Sequence, residues 1–142
     1  MCLIEDKQIF YLVLNTKHNQ IDQEFIDSIL KLLDEVEVKA KGKEAVLVTI
    51  GTGTTTFCSG FDLKYWALNP MNMLLTIIGM QKVFARLISL GIPSLAVLNG
   101  HTIAAGVFLA LCHDKIIMKA DPKKSIWVNE LTFGKAVPYA YL

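Results

Sequence analysis

Two short loops, residues 57–63 (FCSGFDL) and 99–106 (NGHTIAAG), carry the residue types best suited to chemistry. Each loop places small residues where the chain is expected to leave a strand and enter a helix. The first backbone N–H groups of a helix have no partner inside that helix. Two such starts that face each other can hold one oxygen between two N–H donors, which forms an oxyanion hole. The loops therefore predict carbonyl chemistry, with the backbone N–H groups of Ser59 and Ala105 as donors.

Both loops also have a plainer explanation. Ser59 and Gly60 fit an ordinary strand-to-helix turn, although a glycine there also lets a ligand approach the backbone closely. The small residues at 104–106 could serve only to pack a helix tightly against a sheet. Asp62 could cap the next helix or bind an amide group of a ligand. On local sequence alone, the structural and the functional interpretations both stay open.

Glu130 is the strongest candidate for acid–base chemistry. Apolar residues precede it at 126–128, and Leu131 and Phe133 follow it. A carboxylate in such surroundings suits a proton carrier that works near neutral pH. The alternative is a glutamate that faces solvent at the end of a strand. We expect Glu130 to act as a general base if it lies beside the two loops.

Other catalytic and metal-binding patterns are missing from the sequence. His101 and His113 belong to no supported nucleophile–histidine–acid set, and we expect His101 to pack or to bond to backbone near the turn. No metal-ligand spacing, P-loop or GxGxxG motif occurs. The three cysteines, Cys2, Cys58 and Cys112, favour reduced thiols in an intracellular compartment. We expect Cys58 to pack without a redox role.

Bulk composition indicates a globular chain with one core. The 142 residues are 53% apolar and 19% charged, with a net charge of +1. This balance predicts neither nucleic acid nor an anionic membrane as a partner. Residues 1–6 lack the basic start of a secretory signal. Residues 87–112 carry no acidic or basic side chain except His101, but Pro93 and Gly100 favour a buried strand and helix over a membrane span.

Hydrophobic patterning predicts the elements that position these residues. An apolar stripe at helical spacing, with Asp22 as its cap, predicts a helix that runs to about Ala40. Strands and helices then alternate along the chain. This alternation predicts parallel strands joined by helical crossovers. The predicted strands are residues 9–14, 45–50, 93–98, 114–119 and 125–128, and the predicted helices are 23–40, 70–90 and 104–112.

Taken together, the two loops resemble those of the enoyl-CoA hydratase/isomerase (crotonase) superfamily. The first family loop has an aromatic, two small residues, Gly, any residue, Asp and an aliphatic, as at residues 57–63. The second has Asn-Gly, small residues and a helix that ends before His-Asp, as at residues 99–114. The resemblance implies an α/β fold, a crotonase-like ββα spiral of parallel sheets with crossover helices. It also implies one core domain over residues 1–142, with the family's C-terminal helical part missing.

The resemblance also implies roles for individual residues. A coenzyme A thioester would be the substrate, and no separate cofactor or metal is expected. Ser59 and Ala105 would donate to the thioester oxygen, with Glu130 as the third catalytic group. The residues implied to line the coenzyme and acyl groove are Asn19, Gln20, Ile21, Phe57, Gly60, Phe61, Asp62, Leu63, Ala104 and Phe108.

One departure from the family pattern bears on the reaction. Family hydratases usually carry two catalytic glutamates, and here Phe108 stands at the first position while Glu130 stands at the second. One base is enough to move a double bond, so the remaining set resembles that of a delta3,delta2-enoyl-CoA isomerase. The second loop, the pair His113-Asp114 and residues 129–131 (NEL) are most similar to the plant-type peroxisomal isomerases. This resemblance implies fatty acid β-oxidation, a peroxisomal location and a trimer-based assembly. The alternatives are weak hydration, thioester hydrolysis, or an inactive fragment that binds acyl-CoA or only assembles with other subunits.

Overall fold

A computed structural model describes residues 1–130, 132, 134 and 137 of the chain. Strands and helices alternate along it as the hydrophobic pattern predicts. A short 3-10 helix, Lys17–Asn19, lies between the second strand and the first α-helix. The α-helices are α1 (Gln23–Ala40), α2 (Leu63–Leu68), α3 (Pro70–Ile88) and α4 (Ala105–Leu111). The strands are β1 (Cys2–Asp6), β2 (Ile9–Leu14), β3 (Val46–Gly51), β4 (Thr56–Cys58), β5 (Ser94–Leu98), β6 (His101–Ile103), β7 (Lys115–Met118) and β8 (Ile126–Trp127).

The strands form two sheets, and successive parts of the chain contribute strands to both. The larger sheet has the order β1-β2-β3-β5-β7, and the smaller has the order β4-β6-β8. All neighbouring pairs are parallel except β1 with β2, which is antiparallel. Successive strand pairs, β3 with β4, β5 with β6 and β7 with β8, each place one strand in each sheet. This ββα spiral with parallel sheets confirms the predicted fold class.

The core lies between the larger sheet and the helices. Helix α1 begins after Asp22, whose carboxylate accepts a hydrogen bond from the Phe25 N–H at 2.8 Å. One face of α1 and one face of α3 are buried, and the two helices pack against each other. At the surface, Arg86 on α3 forms ion pairs with Asp34 at 2.8 Å and Glu37 at 3.0 Å on α1. The largest fully buried side chains are Phe10, Phe25, Phe57, Leu12, Leu14, Ile21, Ile26, Ile29, Leu33, Leu47, Met80 and Leu98.

Short elements account for the differences between prediction and structure. Strands β4 and β6 have three residues each, which is too short to produce a recognisable alternation. Strand β1 is an edge strand that ends in two acidic residues, and α2 has only six residues. The five predicted strands and three predicted helices are all present, most with ends shifted by one or two residues.

The uncharged segment 87–112 is folded as predicted. It contains the end of α3, then β5, β6 and α4, in place of a membrane span. In the described part of the chain, α3 alone has the length and apolar composition to cross a membrane. That criterion is weak, because core helices of soluble proteins also meet it, and one face of α3 packs on α1.

Candidate active site

The three predicted catalytic residues follow the same end of the smaller sheet. Ser59 follows β4, Ala105 lies just after β6, and Glu130 comes three residues after β8. The strands are parallel and β6 lies between the other two, so all three residues leave at the carboxyl edge. Ligand sites of parallel sheets form at this edge. The short strands β4 and β6, which the sequence pattern does not reveal, therefore join the predicted strand β8 in bringing these residues to one edge.

The two loops are in direct contact. Gly60 has φ +84°, and a Cβ built there would lie 2.8 Å from the Ala104 Cβ and 3.3 Å from the Ala105 nitrogen. A Cβ on Gly106 would lie 2.5 Å from the Cys58 carbonyl oxygen. Since real Cβ atoms are not found at such distances, only glycine lets the start of α4 pack this closely on the end of β4.

Ala105 presents a backbone donor at the start of α4. The preceding Ala104 has φ +53°, a conformation that is costly for an L-residue, and its side chain cannot cap the helix. The Ala104 N–H donates to the Trp127 carbonyl at 2.9 Å, which ties the second loop to β8. The Ala105 N–H has no acceptor among the described residues. Backbone strain of this kind clusters at functional sites.

Ser59, in contrast, already uses its donors. Its N–H and its hydroxyl both donate to the His18 carbonyl, at 3.3 Å and 3.0 Å. The predicted role of Ser59 as the first hole donor would require that bond to be exchanged for one to a ligand. The sequence offers no signal for this contact, because His18 lies on a segment far from Ser59 along the chain.

The backbone N–H of Phe61 points away from residues 18–21, toward the second loop. Ile21 donates to the Gly60 carbonyl and accepts from the Asp62 N–H, each at 2.9 Å. Backbone groups alternate in direction in such a parallel bridge, so the Phe61 N–H faces away from Ile21. It has no acceptor among the described residues. The geometry thus favours Phe61 over Ser59 as the partner of Ala105, while the role of Ser59 as a donor stays a prediction.

Four of the residues predicted to line the groove fall into two groups, buried supports of the loops and residues that line a cavity. Asn19 and Phe57 are 2% and 0% exposed, so their side chains support the loops from inside. Gln20 and Asp62 line a cavity of about 290 Å³ near the start of α1. Asp62 also caps α2, accepting from the N–H groups of residues 64 and 65 at 2.8 Å and 3.2 Å. Both interpretations of Asp62, as a cap and as a groove residue, are therefore compatible with its position.

An aromatic pair holds the Phe61 side chain at the loop. The ring centroids of Phe61 and Trp66 are 4.9 Å apart. The Trp66 indole N–H donates to the Thr76 hydroxyl on α3 at 2.8 Å, which fixes the indole. Leu63 is 67% exposed, so it offers an apolar side chain at the rim of the loop. The first loop is thus supported by α2 and α3 on one side and by residues 18–21 on the other.

Glu130 has one carboxylate oxygen in an unusual position. Its side chain is half-buried, and its Oε2 atom is buried with no hydrogen-bond partner among the described residues. Buried polar atoms are normally paired, so an unpaired one needs an explanation, and a catalytic role is one such explanation. Leu131 and Phe133, which the sequence places beside Glu130, lie outside the described residues. Phe108 is buried on α4, and it supplies no ionisable group there.

The remaining polar candidates serve the fold. His113 is buried between the Thr49 hydroxyl at 2.8 Å and the Leu109 carbonyl at 3.0 Å, and burial lowers its pKa. His101 bonds to the Ser125 hydroxyl at 3.1 Å. The Cys58 thiol donates to the Asn19 carbonyl, and burial raises its pKa to about 12. Within the described part of the chain, no group of three or more potential ligands could hold a metal ion.

Comparisons with curated proteins find enoyl-CoA delta isomerases among the relatives of this chain. Enoyl-CoA delta isomerase 3 of Arabidopsis thaliana is 32% identical over 146 residues. The peroxisomal enoyl-CoA delta isomerase 2 of the same plant is 30% identical over 148 residues. Each alignment includes 97% of this chain, which spans only 59% and 60% of the lengths of the two relatives.

Solved structures and a family model give the same result. An enoyl-CoA hydratase/isomerase family protein from Pseudomonas syringae superposes with a TM-score of 0.88 at 27% identity, covering 97% of this chain and 58% of that one. A Mycobacterium tuberculosis enoyl-CoA isomerase superposes with a TM-score of 0.86 at 26% identity, covering 99% of this chain and 59% of that one. The enoyl-CoA hydratase/isomerase family model matches residues 5–141. The chain therefore belongs to the enoyl-CoA hydratase/isomerase family.

Proposed function

We propose that the protein is a delta3,delta2-enoyl-CoA isomerase. The observation that carries this proposal is the Glu130 carboxylate, which has one buried oxygen without a partner among the described residues and lies at the sheet edge where the first and second loops leave. Phe108 stands where a family hydratase would carry its other glutamate. The isomerase names of the Arabidopsis thaliana relatives support the same reaction.

The proposed reaction moves one proton between two carbons of the substrate. The thioester oxygen accepts hydrogen bonds from Phe61 and Ala105. Glu130 takes a proton from C2, the C–H electron pair forms an enolate, and negative charge develops on the held oxygen. The double bond moves as protonated Glu130 returns the proton at C4, so a 3-enoyl-CoA becomes a 2-trans-enoyl-CoA. Loss of one hole donor is expected to lower the rate by about a hundredfold or more.

Phe108 has a second proposed role, the exclusion of water. Hydration of a double bond is assisted by two carboxylates that share the attacking water molecule. A buried aromatic ring offers no hydrogen bond to hold that water, so proton transfer is favoured over hydration. The proposed chemistry needs no cofactor, because coenzyme A is part of the substrate.

The biological setting is proposed from the relatives. Two of the Arabidopsis thaliana relatives are named as peroxisomal. We therefore propose a role in the β-oxidation of unsaturated fatty acids in peroxisomes, with a trimer-based assembly for the whole protein. The chain spans about three fifths of the lengths of these relatives, so the activity of the whole protein is part of this proposal.

Product identity tests the proposal against its alternatives. The protein is incubated with 3-enoyl-CoA, absorbance follows the conjugated 2-enoyl-CoA, and mass spectrometry identifies the product. We expect a product of unchanged mass with conjugated absorbance. A product heavier by one water would show hydration, and free coenzyme A would show hydrolysis. A folded protein that binds the thioester without changing it would be a non-catalytic binder, and each of these three results would contradict the isomerase proposal.

A further inference from the structure

Asn19 is a buried polar residue that joins two segments at the candidate site. Its side-chain amide donates to the Phe57 carbonyl at 2.8 Å, and its side-chain oxygen accepts from the Thr16 N–H at 2.9 Å. Its backbone carbonyl accepts from the Cys58 thiol at 3.1 Å. With 2% of its surface exposed, Asn19 has little area left to touch a ligand. Its contacts reach Phe57 and Cys58, at the end of β4 and the start of the first loop.

The backbone at this position is also constrained. Asn19 has φ +47° and the adjacent His18 has φ +58°, both in the left-handed region. This conformation costs free energy in residues other than glycine, and asparagine tolerates it better than most. The fold therefore holds two consecutive residues in a costly conformation where they meet the first loop. Such strain persists only where surrounding contacts fix it.

These contacts extend along the whole first loop. The His18 carbonyl accepts two bonds from Ser59, and Ile21 forms the parallel bridge with Phe61. The opposite edge of β4 pairs with β6, so β4 is held on both sides. On the side of residues 16–21, Asn19 supplies the side chain that fixes β4 itself. A shift of β4 would move the Phe61 N–H relative to Ala105.

We propose that Asn19 is a positioning residue for the oxyanion contact, which it supports by fixing the end of β4 without touching the substrate. This inference rests on the proposed isomerase function and deepens it. Catalytic geometry is sensitive to small displacements, and a misplacement of about 1 Å can lower a rate by about a hundredfold. The bond from an oxyanion donor strengthens as charge develops on the oxygen. The loss should therefore fall on kcat more than on KM.

Two substitutions separate the side-chain tether from the backbone conformation. Asn19→Asp keeps the size and the acceptor for Thr16 but places an oxygen opposite the Phe57 carbonyl. Asn19→Gly tolerates the positive φ and removes both side-chain bonds. We expect each variant to lower kcat by about 10- to 100-fold and to change KM by less than about 3-fold. Ser94→Ala is the matched control, because Ser94 is also a buried polar residue with a side-chain hydrogen bond, in this case to Asp114. Ser94 lies at the start of β5, away from the two loops.

A spectroscopic readout distinguishes positioning from simple stabilisation. Hydrogen bonds to a carbonyl oxygen lower its stretching frequency, which infrared difference spectra can follow on a bound enoyl-CoA with a ¹³C-labelled thioester carbon. We expect wild type and Ser94→Ala to lower the frequency equally, and both Asn19 variants to lower it less. In Asn19→Asp, protonation of the new carboxyl at low pH restores a donor to the Phe57 carbonyl, so the frequency should move back toward wild type.

The outcomes separate the two proposals. If wild type neither isomerises 3-enoyl-CoA nor lowers the carbonyl frequency, the proposed function fails and the role of Asn19 fails with it. If wild type does both and folded Asn19 variants retain its kcat and frequency, the positioning role alone is overturned. A variant that loses melting temperature but keeps both readouts shows a structural role only. If Asn19→Gly does not fold, Asn19→Asp at neutral and low pH carries the same comparison.

Discussion

In the proposed reaction, Phe108 and Glu130 are the residues that decide between isomerisation and hydration. One is a buried aromatic ring and the other a carboxylate with an oxygen that has no partner in the described structure. Exchange of Phe108 for Glu would supply a second carboxylate on α4 that could hold a water molecule. Under the proposed function, the choice between isomerisation and hydration thus depends on the side chain at position 108.

Phe108→Glu is therefore expected to produce some hydration. Mass spectrometry of products from 2-enoyl-CoA should show a 3-hydroxyacyl-CoA, which wild type should not form. Phe108→Gln is the matched control, since it has nearly the same size and polarity without the ionisable group. Circular dichroism checks that both variants are folded. A folded Phe108→Glu variant with no more hydration product than Phe108→Gln would contradict the role given to this position.

The cysteines differ in the reactivity expected of their thiols. Burial raises the pKa of Cys58 to about 12 and that of Cys112 to about 11. The thiolate, which is the reactive form, is therefore scarce at both residues near pH 8. We expect iodoacetamide to label the half-buried Cys2 first and Cys58 only after unfolding, as peptide mass mapping would show. Labelling of Cys58 in the native protein as fast as Cys2 would be incompatible with its burial.

At the level of secondary-structure elements, the packing of the first loop on the second is expected to depend on Gly60. Gly60→Ala and Gly53→Ala both introduce a side chain at positive φ, which costs about 1 kcal/mol. Only at Gly60 does the new Cβ meet the second loop, since nothing lies within 4 Å of a Cβ at Gly53. Gly60→Ala should therefore lose about 1–3 kcal/mol more in urea unfolding, as overpacked sites do, and at least tenfold in kcat. Equal effects of the two substitutions would contradict the loop packing.

Long elements were predictable from the sequence because their patterns are complete. Helix α1 has an apolar stripe and a capping aspartate, and β2 is a continuous apolar run with the predicted bounds. Strands β4 and β6 were not predictable, because three residues carry no period. The preference for Phe61 over Ser59 as a donor was not predictable from the sequence either. It depends on the bridge between Phe61 and Ile21, a contact between distant segments that local sequence does not encode.

For the molecule as a whole, His113 is expected to make the free energy of unfolding depend on pH. Burial lowers its pKa below the usual value of about 6.5, although backbone hydrogen bonds and the nearby Asp114 carboxylate oppose this shift. Thr49 also bonds to the ring. Between the lowered folded pKa and about 6.5, the unfolded chain binds more protons than the folded one. The stability that neutral His113 contributes is therefore present above pH 6.5 and is lost as the pH falls below it.

Urea unfolding from pH 7.5 to pH 5 tests this expectation. The free energy of unfolding should fall with pH in wild type, and the slope should be smaller in His113→Gln. The Asp114 carboxylate does not interfere, since bonds from Ser94 lower its pKa below 3.8 and confine its loss of stability to more acid conditions. Equal slopes in wild type and His113→Gln would show that His113 is not the group responsible.

The position of Glu130 depends on the fold of the whole molecule as well as on its own segment of chain. The sequence indicated its chemistry, while the three-stranded sheet determines that it lies at the same edge as Phe61 and Ala105. The parallel order β4-β6-β8 follows from a spiral in which each repeat adds one strand to each sheet. The sequence was thus sufficient to predict Glu130 as a candidate base. It was not sufficient to predict which residues lie near Glu130, because they are set by pairing between the shortest strands.

The most direct test of the central claim compares wild type with Glu130→Gln. The substitution keeps the size of the side chain and removes its capacity to take a proton. Isomerisation of 3-enoyl-CoA is followed by absorbance, and binding of the thioester is measured separately by calorimetry. We predict that the variant binds the thioester with similar affinity and isomerises it about 10²- to 10⁴-fold more slowly. An isomerisation rate in Glu130→Gln close to that of wild type would contradict the account.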